Sequence, residues 1–163
     1  MEQVTKNVFA ETRIRGCNPG YVVTSEGIVV IDTPQLPTYA IRMREECKKK
    51  GPIRYVINTE HHVDHIFGNY FFRKFAEHII AHEETKKQFM VVYPQINPYE
   101  YAKEAIPTDD PEGMLLFPDE KTYFADPGRP DITITGDTTI LVGDHTFDLL
   151  WTPGHVPGQL AVY

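Results

Sequence analysis

The chain has 163 residues, 41% of them hydrophobic, which is one domain's worth of sequence and enough to bury a core. Its net charge of −7 argues against a nucleic-acid partner, because phosphate binding needs clustered Lys and Arg and the one basic run is Lys48-Lys49-Lys50. Cys17 and Cys47 are too few for a disulfide framework and match no zinc ribbon or redox pair, so they read as reduced, partly buried thiols. No signal-peptide pattern opens the chain and no apolar run reaches the length of a membrane span, which predicts a cytoplasmic protein.

Val8-Phe9-Ala10, Gly20-Tyr21-Val22-Val23 and Ile28-Val29-Val30-Ile31-Asp32 read as a β-meander, with turns at Asn18-Pro19-Gly20 and Ser25-Glu26-Gly27. Residues 38–50 carry apolar Tyr39, Ile41, Met43 and Cys47 among charges, with Pro37 before and Gly51 after, the start and stop signals of an amphipathic helix. A strand follows at 53–58, a helix at 66–75, a short strand at 79–81 and a third helix at 82–92. Residues 94–130 are proline-rich with scattered aromatics, too broken for long elements and too long for an ordinary loop, which marks a functional insertion or lid. Strands at 132–135, 138–142, 146–151 and from 159 close the chain, so the whole reads as an α/β sandwich in a single domain.

Chemistry concentrates in Thr59-Glu60-His61-His62-Val63-Asp64-His65, directly after the apolar strand, and in Thr152-Pro153-Gly154-His155. Alternate residues of an extended segment point the same way, so Glu60, His62 and Asp64 share one side, and His65 turns in as the next helix starts. Carboxylate and imidazole donors together suit Zn²⁺, Mn²⁺ or Fe²⁺, whereas Ca²⁺ takes oxygen alone.

The segment from Val56 to Asn69, with Ile31-Asp32-Thr33 upstream and Thr152-Pro153-Gly154-His155 downstream, resembles the metallo-β-lactamase superfamily along nearly the whole chain. The resemblance implies a metallo-β-lactamase-like αββα sandwich with a dinuclear site, most often zinc, at one edge of two packed sheets. In that family's H-x-H-x-D-H motif, the alternate histidines and the T-P-G-H histidine bind one metal; the aspartate and last histidine bind the other. Carried over, His62 and His155 match ligands of the first metal, and Asp64 and His65 match ligands of the second. Glu60 stands where the family has histidine: either it binds, adding negative charge and tilting preference toward Mn or Fe, or it leaves that site weak. His61 is one residue off the pattern and points away, as a partner of a ligand or a substitute for one. Asp32 resembles the family's acidic residue that orients a ligand by hydrogen bonding.

His78, His82 and His145 are expected in surface or local hydrogen-bonding roles. Tyr93, Tyr99, Tyr101, Phe117, Tyr123 and Phe124 either line an apolar pocket or form the insertion's own small core.

The family supplies a bridging aspartate and a last histidine from a second half, and this chain ends at Tyr163. That leads to the expectation of a split enzyme, the N-terminal portion of the fold completed by a second subunit, with truncation or cleavage as the other explanation. The implied reaction is attack by metal-bound hydroxide on an electrophilic carbon, with Asp64 orienting the nucleophile and accepting its proton. Esters, lactones, thioesters and activated aryl ethers such as nitroaryl methyl ethers fit that chemistry. Two alternatives stay open: an iron-dependent oxygen- or sulfur-active protein of the same fold, and a non-catalytic binding subunit.

Overall fold

Apolar strands that alternate between two buried faces organise the chain in the computed structural model, which describes residues 1–91 and 97–163, the side chains of 89–91 excepted. β1 (Glu2–Gln3), β2 (Val8–Ala10), β3 (Gly20–Thr24) and β4 (Gly27–Ile31) pair antiparallel in chain order, the expected meander with β1 added at its edge. β5 (Ile53–Asn58), β6 (Ala76–His82) and β7 (Ile132–Ile134) extend the same sheet in parallel. β8 (Thr138–Val142), β9 (His145–Trp151) and β10 (Leu160–Val162) form a separate antiparallel sheet in the order β10-β9-β8.

Period-two alternation decides which core each residue joins. Ile28 and Val30 of β4, Val56 of β5 and Ile79 of β6 face the helices, while Val29, Ile57 and Ile80 face the second sheet. Fully burying a Val or Ile stabilises by about 1.5–3 kcal/mol, so a one-residue slip in a strand buried on both faces would misplace every such pair. The helical face is covered by α1 (Pro37–Lys50), whose Ala40, Met43 and Cys47 form its buried stripe. The other face packs against Val142, Phe147, Leu149 and Leu160 of the second sheet. The described residues thus build three layers in an α/β arrangement: helices, mixed sheet, antiparallel sheet. The outer face of the small sheet carries Leu141 and Tyr163, which are 73% and 89% exposed, with Leu150 beside them.

The helix expected at 66–75 is instead two single turns, α2 (Val63–Ile66) and α3 (Asn69–Phe72). The break falls at Gly68, which packs so closely that an added Cβ would lie 2.3 Å from the Pro34 carbonyl oxygen. The strand expected at 79–81 runs the longer course of β6, and α4 (Glu83–Val91) follows it; Val92, the expected last residue of that helix, lies outside the described residues. Residues 94–130 were expected to lack long elements, yet α5 (Pro98–Asp109), a 3-10 turn (Pro111–Leu115) and α6 (Glu120–Ala125) form there. Pro98 occupies the first helical turn, where a missing N–H costs nothing, and Pro107 falls in the last turn. Asn97, Asp110 and Asp119 cap the three elements with their side chains.

The aromatics of this segment divide. Tyr99, Phe117 and Tyr123 join the main core, Phe117 and Tyr123 stacking on Phe67 with centroids at 5.4 and 5.0 Å. Tyr101 and Phe124 remain on the surface, 51% and 37% exposed, and Tyr93 lies outside the described residues.

Candidate metal centre

β4, β5 and β6 run parallel and end on one edge of the sheet, which brings Asp32, residues 59–62 and His82 to the same side of the molecule. Asp32 leaves β4 with φ of 54°, a left-handed conformation that Asp and Asn tolerate better than most residues. Its carboxylate accepts from the Thr59 amide at 2.8 Å and the Thr59 hydroxyl at 2.6 Å, and it holds His65 Nδ1 at 2.9 Å. Behind His65, the Thr33 amide donates to its carbonyl at 3.0 Å. Buried Asn58 and Asn69 pair through Asn69 Nδ2 to Asn58 Oδ1 at 2.8 Å and Asn58 Nδ2 to Asn69 Oδ1 at 3.1 Å, and Asn69 also donates to the Gly128 carbonyl at 3.0 Å.

With Nδ1 committed to Asp32, His65 presents Nε2 to Glu60 Oε1 at 3.2 Å and to Asp64 Oδ2 at 3.8 Å. Burial disfavours a charge on His65, but the Asp32 hydrogen bond and the carboxylates of Asp32, Glu60 and Asp64 outweigh it and push its pKa up to about 8. Glu60, 6% exposed, lies at the centre: Oε1 is 3.8 Å from His155 Nε2, and Oε2 sits against His62 Nδ1. The His62 and His155 rings lie 4.9 Å apart. Donor atoms of Glu60, His62 and His155 all fall within 4.8 Å of one another, and so do those of Cys17, Asp32 and His65.

One expectation about geometry needs correcting. Asp64 does not continue an extended row with Glu60 and His62, because His62 caps α2 and Asp64 lies in its first turn beside His65. His61 belongs to neither donor group; its ring packs 4.8 Å from that of His62, and burial pushes its pKa down.

The sequence reading expected a reduced thiol at Cys17 and a local hydrogen bond at His82, where Nδ1 accepts from the Glu84 amide at 3.2 Å, but did not place either residue beside the site. The Cys17 thiol donates to the Asp64 carbonyl at 2.8 Å, and burial, with the charges of Asp32 and Asp64 adding to it, pushes its pKa well up. His82 is 2% exposed and stacks on Trp151 with centroids 5.0 Å apart. Trp151 Nε1 donates to the Pro157 carbonyl at 2.8 Å, Thr85 Oγ1 donates to the Gly158 carbonyl at 3.1 Å, and the Leu160 amide donates to the Thr59 carbonyl at 2.8 Å. These contacts fasten residues 152–159, and through them His155, to the ends of β5 and β6. No local pattern announces either residue, because each reaches the site across more than forty positions of sequence.

The donor set fits a divalent transition metal. Glu60 Oε2 is buried and makes no hydrogen bond, and a buried carboxylate among imidazoles is costly unless it coordinates a cation or is neutralised. Imidazole and carboxylate donors at this spacing suit zinc, manganese or iron. Beside them opens a cleft of ≈ 210 Å³ lined by His62, Val63, Asp64 and Tyr101.

The chain matches the metallo-beta-lactamase superfamily model over residues 12–163 and belongs to that superfamily. A search of curated proteins gives no match. Among solved structures it resembles a metallo-β-lactamase of Cronobacter sakazakii with a HARLDQ motif (TM-score 0.62, 22% identity, covering 89% of this chain and 52% of that one). It also resembles a metallo-β-lactamase from Pontibacter korlensis (0.61, 20%, covering 99% and 65%). A third is described as the first B3 metallo-β-lactamase with an active-site glutamic acid (0.64, 19%, covering 99% and 55%). The chain therefore spans between about half and two thirds of the length of these relatives.

Proposed function

We propose that the protein is a cytoplasmic metal-dependent hydrolase subunit, acting on an ester, lactone, thioester or activated aryl ether. The observation that carries this reading is the convergence of Glu60, His62 and His155 with Asp64 and His65 on one sheet edge beside an open cleft. Glu60, His62 and His155 would hold one divalent ion, zinc foremost, and Asp64 and His65 a second. When bound, such ions supply Lewis-acid activation of water and of the scissile bond.

The chain's own residues do the rest. Asp32 fixes the tautomer of His65 so that Nε2 faces the donors. Asp64, partly exposed at the cleft, would orient an attacking water and accept its proton, a role its position in the cleft lining supports. Tyr101 gives the cleft an aromatic wall, which favours substrates with an apolar or aromatic portion.

A second subunit is part of the proposal. Leu141 and Leu150 are exposed on one face of the small sheet, and among the described residues β8 and β10 are its unpaired edges, which supports a second polypeptide closing the sandwich. Assays of the native preparation against the four substrate classes test the reading, with His62→Ala and Asp64→Ala as controls. Hydrolysis in at least one class that both variants abolish is expected; activity that survives either substitution contradicts it. Mass measurement in solution should give a complex heavier than the lone chain, and a stable folded monomer would remove the second subunit from the account.

A further inference from the structure

We propose that Glu60 bridges the two metal positions, so that the ions bind as a coupled pair. This rests on the metal-centre reading above. The argument is positional. Glu60 Oε1 lies 3.2 Å from Nε2 of His65, a residue of the second position, which is the separation of two donors that share one ion. Glu60 Oε2 lies against Nδ1 of His62, a residue of the first, and makes no hydrogen bond there. His155 Nε2, also of the first position, completes the ring of imidazoles at 3.8 Å from Oε1.

Glu60, 6% exposed, belongs with His62 and His155 to one donor group and also reaches His65 of the other through Oε1. Its carboxylate has two oxygens that can each take a metal, and a histidine in its place presents one nitrogen to the site. Replacing imidazole by carboxylate therefore changes more than charge: it turns a ligand of one ion into a link between two. The link also explains how a buried carboxylate is tolerated, since two cations share its charge.

Zn²⁺ titration of the chelator-treated native preparation, with electron paramagnetic resonance of the Mn²⁺-loaded form, reads the coupling directly. The wild type is expected to take two ions cooperatively and to show a magnetically coupled Mn²⁺ pair. Glu60→His, which offers one nitrogen where the carboxylate offers two oxygens, should separate the two binding steps and weaken the coupling. Glu60→Gln keeps the shape but weakens the link, and should loosen both ions by at least about tenfold. Circular dichroism checks that each variant is folded, and if Glu60→His does not fold, Glu60→Gln carries the test. Two independent ions in the wild type, a single ion, coupling undiminished in Glu60→His, or a Glu60→Gln variant that loosens one ion alone overturns the bridge and leaves the hydrolase reading standing. A wild type that binds no metal overturns both.

Discussion

Asp32 accepts hydrogen bonds from the Thr59 amide and hydroxyl and holds His65 Nδ1, and this last contact decides which nitrogen of His65 faces the donors. Asp32→Asn tests that role with little disturbance to the backbone, because Asn also tolerates the left-handed conformation found there. The amide can donate to Nδ1 and so favour the tautomer with its proton on Nε2, the atom needed for coordination. Metal affinity is expected to fall by about 10–100-fold, read by calorimetric titration, while thermal unfolding shows a native fold. Unchanged affinity would assign Asp32 to the backbone turn alone. Asp32, Glu60, His62, Asp64 and His65 were all legible in the sequence because one strand end and the following turn hold most of them. Their pairing was not: Asp64 leaves the extended row because a helical turn begins at Val63, one residue after the still-extended His62.

His155 reaches the site by the placement of its loop and is itself exposed, so the elements that hold the loop become part of the centre. His82→Ala removes the ring beneath Trp151, and Gly158→Ala would set a Cβ 2.5 Å from Thr85 Oγ1. Each should shift residues 152–159 and weaken the first metal position, with His82→Phe restoring the stack and the affinity. Equal metal affinity in His82→Ala and the wild type would contradict this. Another tie joins the two sheets: Asp144 in the β8–β9 turn accepts from the Ser25 amide at 2.8 Å and pairs with His145 at 2.9 Å. The Ser25 amide first, and His145 second, hold the Asp144 carboxyl down at about 2. A lowered folded-state value means that the tie stabilises above the ordinary value of 3.8 and is lost as pH falls through about 2. The melting-temperature gap between wild type and Asp144→Asn should be present above that window and shrink across it; a gap undiminished at pH 2 would contradict the assignment. The strands around these ties were legible from alternation, whereas α5 and the 3-10 turn after it were not, because proline frequency hid the fact that their prolines stand at first and last turns.

At the scale of the whole molecule, one face of the mixed sheet is closed by helices and the other by the antiparallel sheet, and the donors gather where the parallel strands end. Among the described residues no helix is long and apolar enough to cross a membrane. The architecture was legible from the order of strands and helices, because each apolar run had to bury two faces. The α1 stripe and the two cores follow from the same requirement. Everything proposed about activity depends on whether the collected donors take up metal. Elemental analysis of the native preparation beside its His62→Ala variant measures this most directly. The account predicts two equivalents of a divalent transition metal in the wild type and a clear loss in the variant; a wild type purified from metal-replete medium with no bound metal would contradict it.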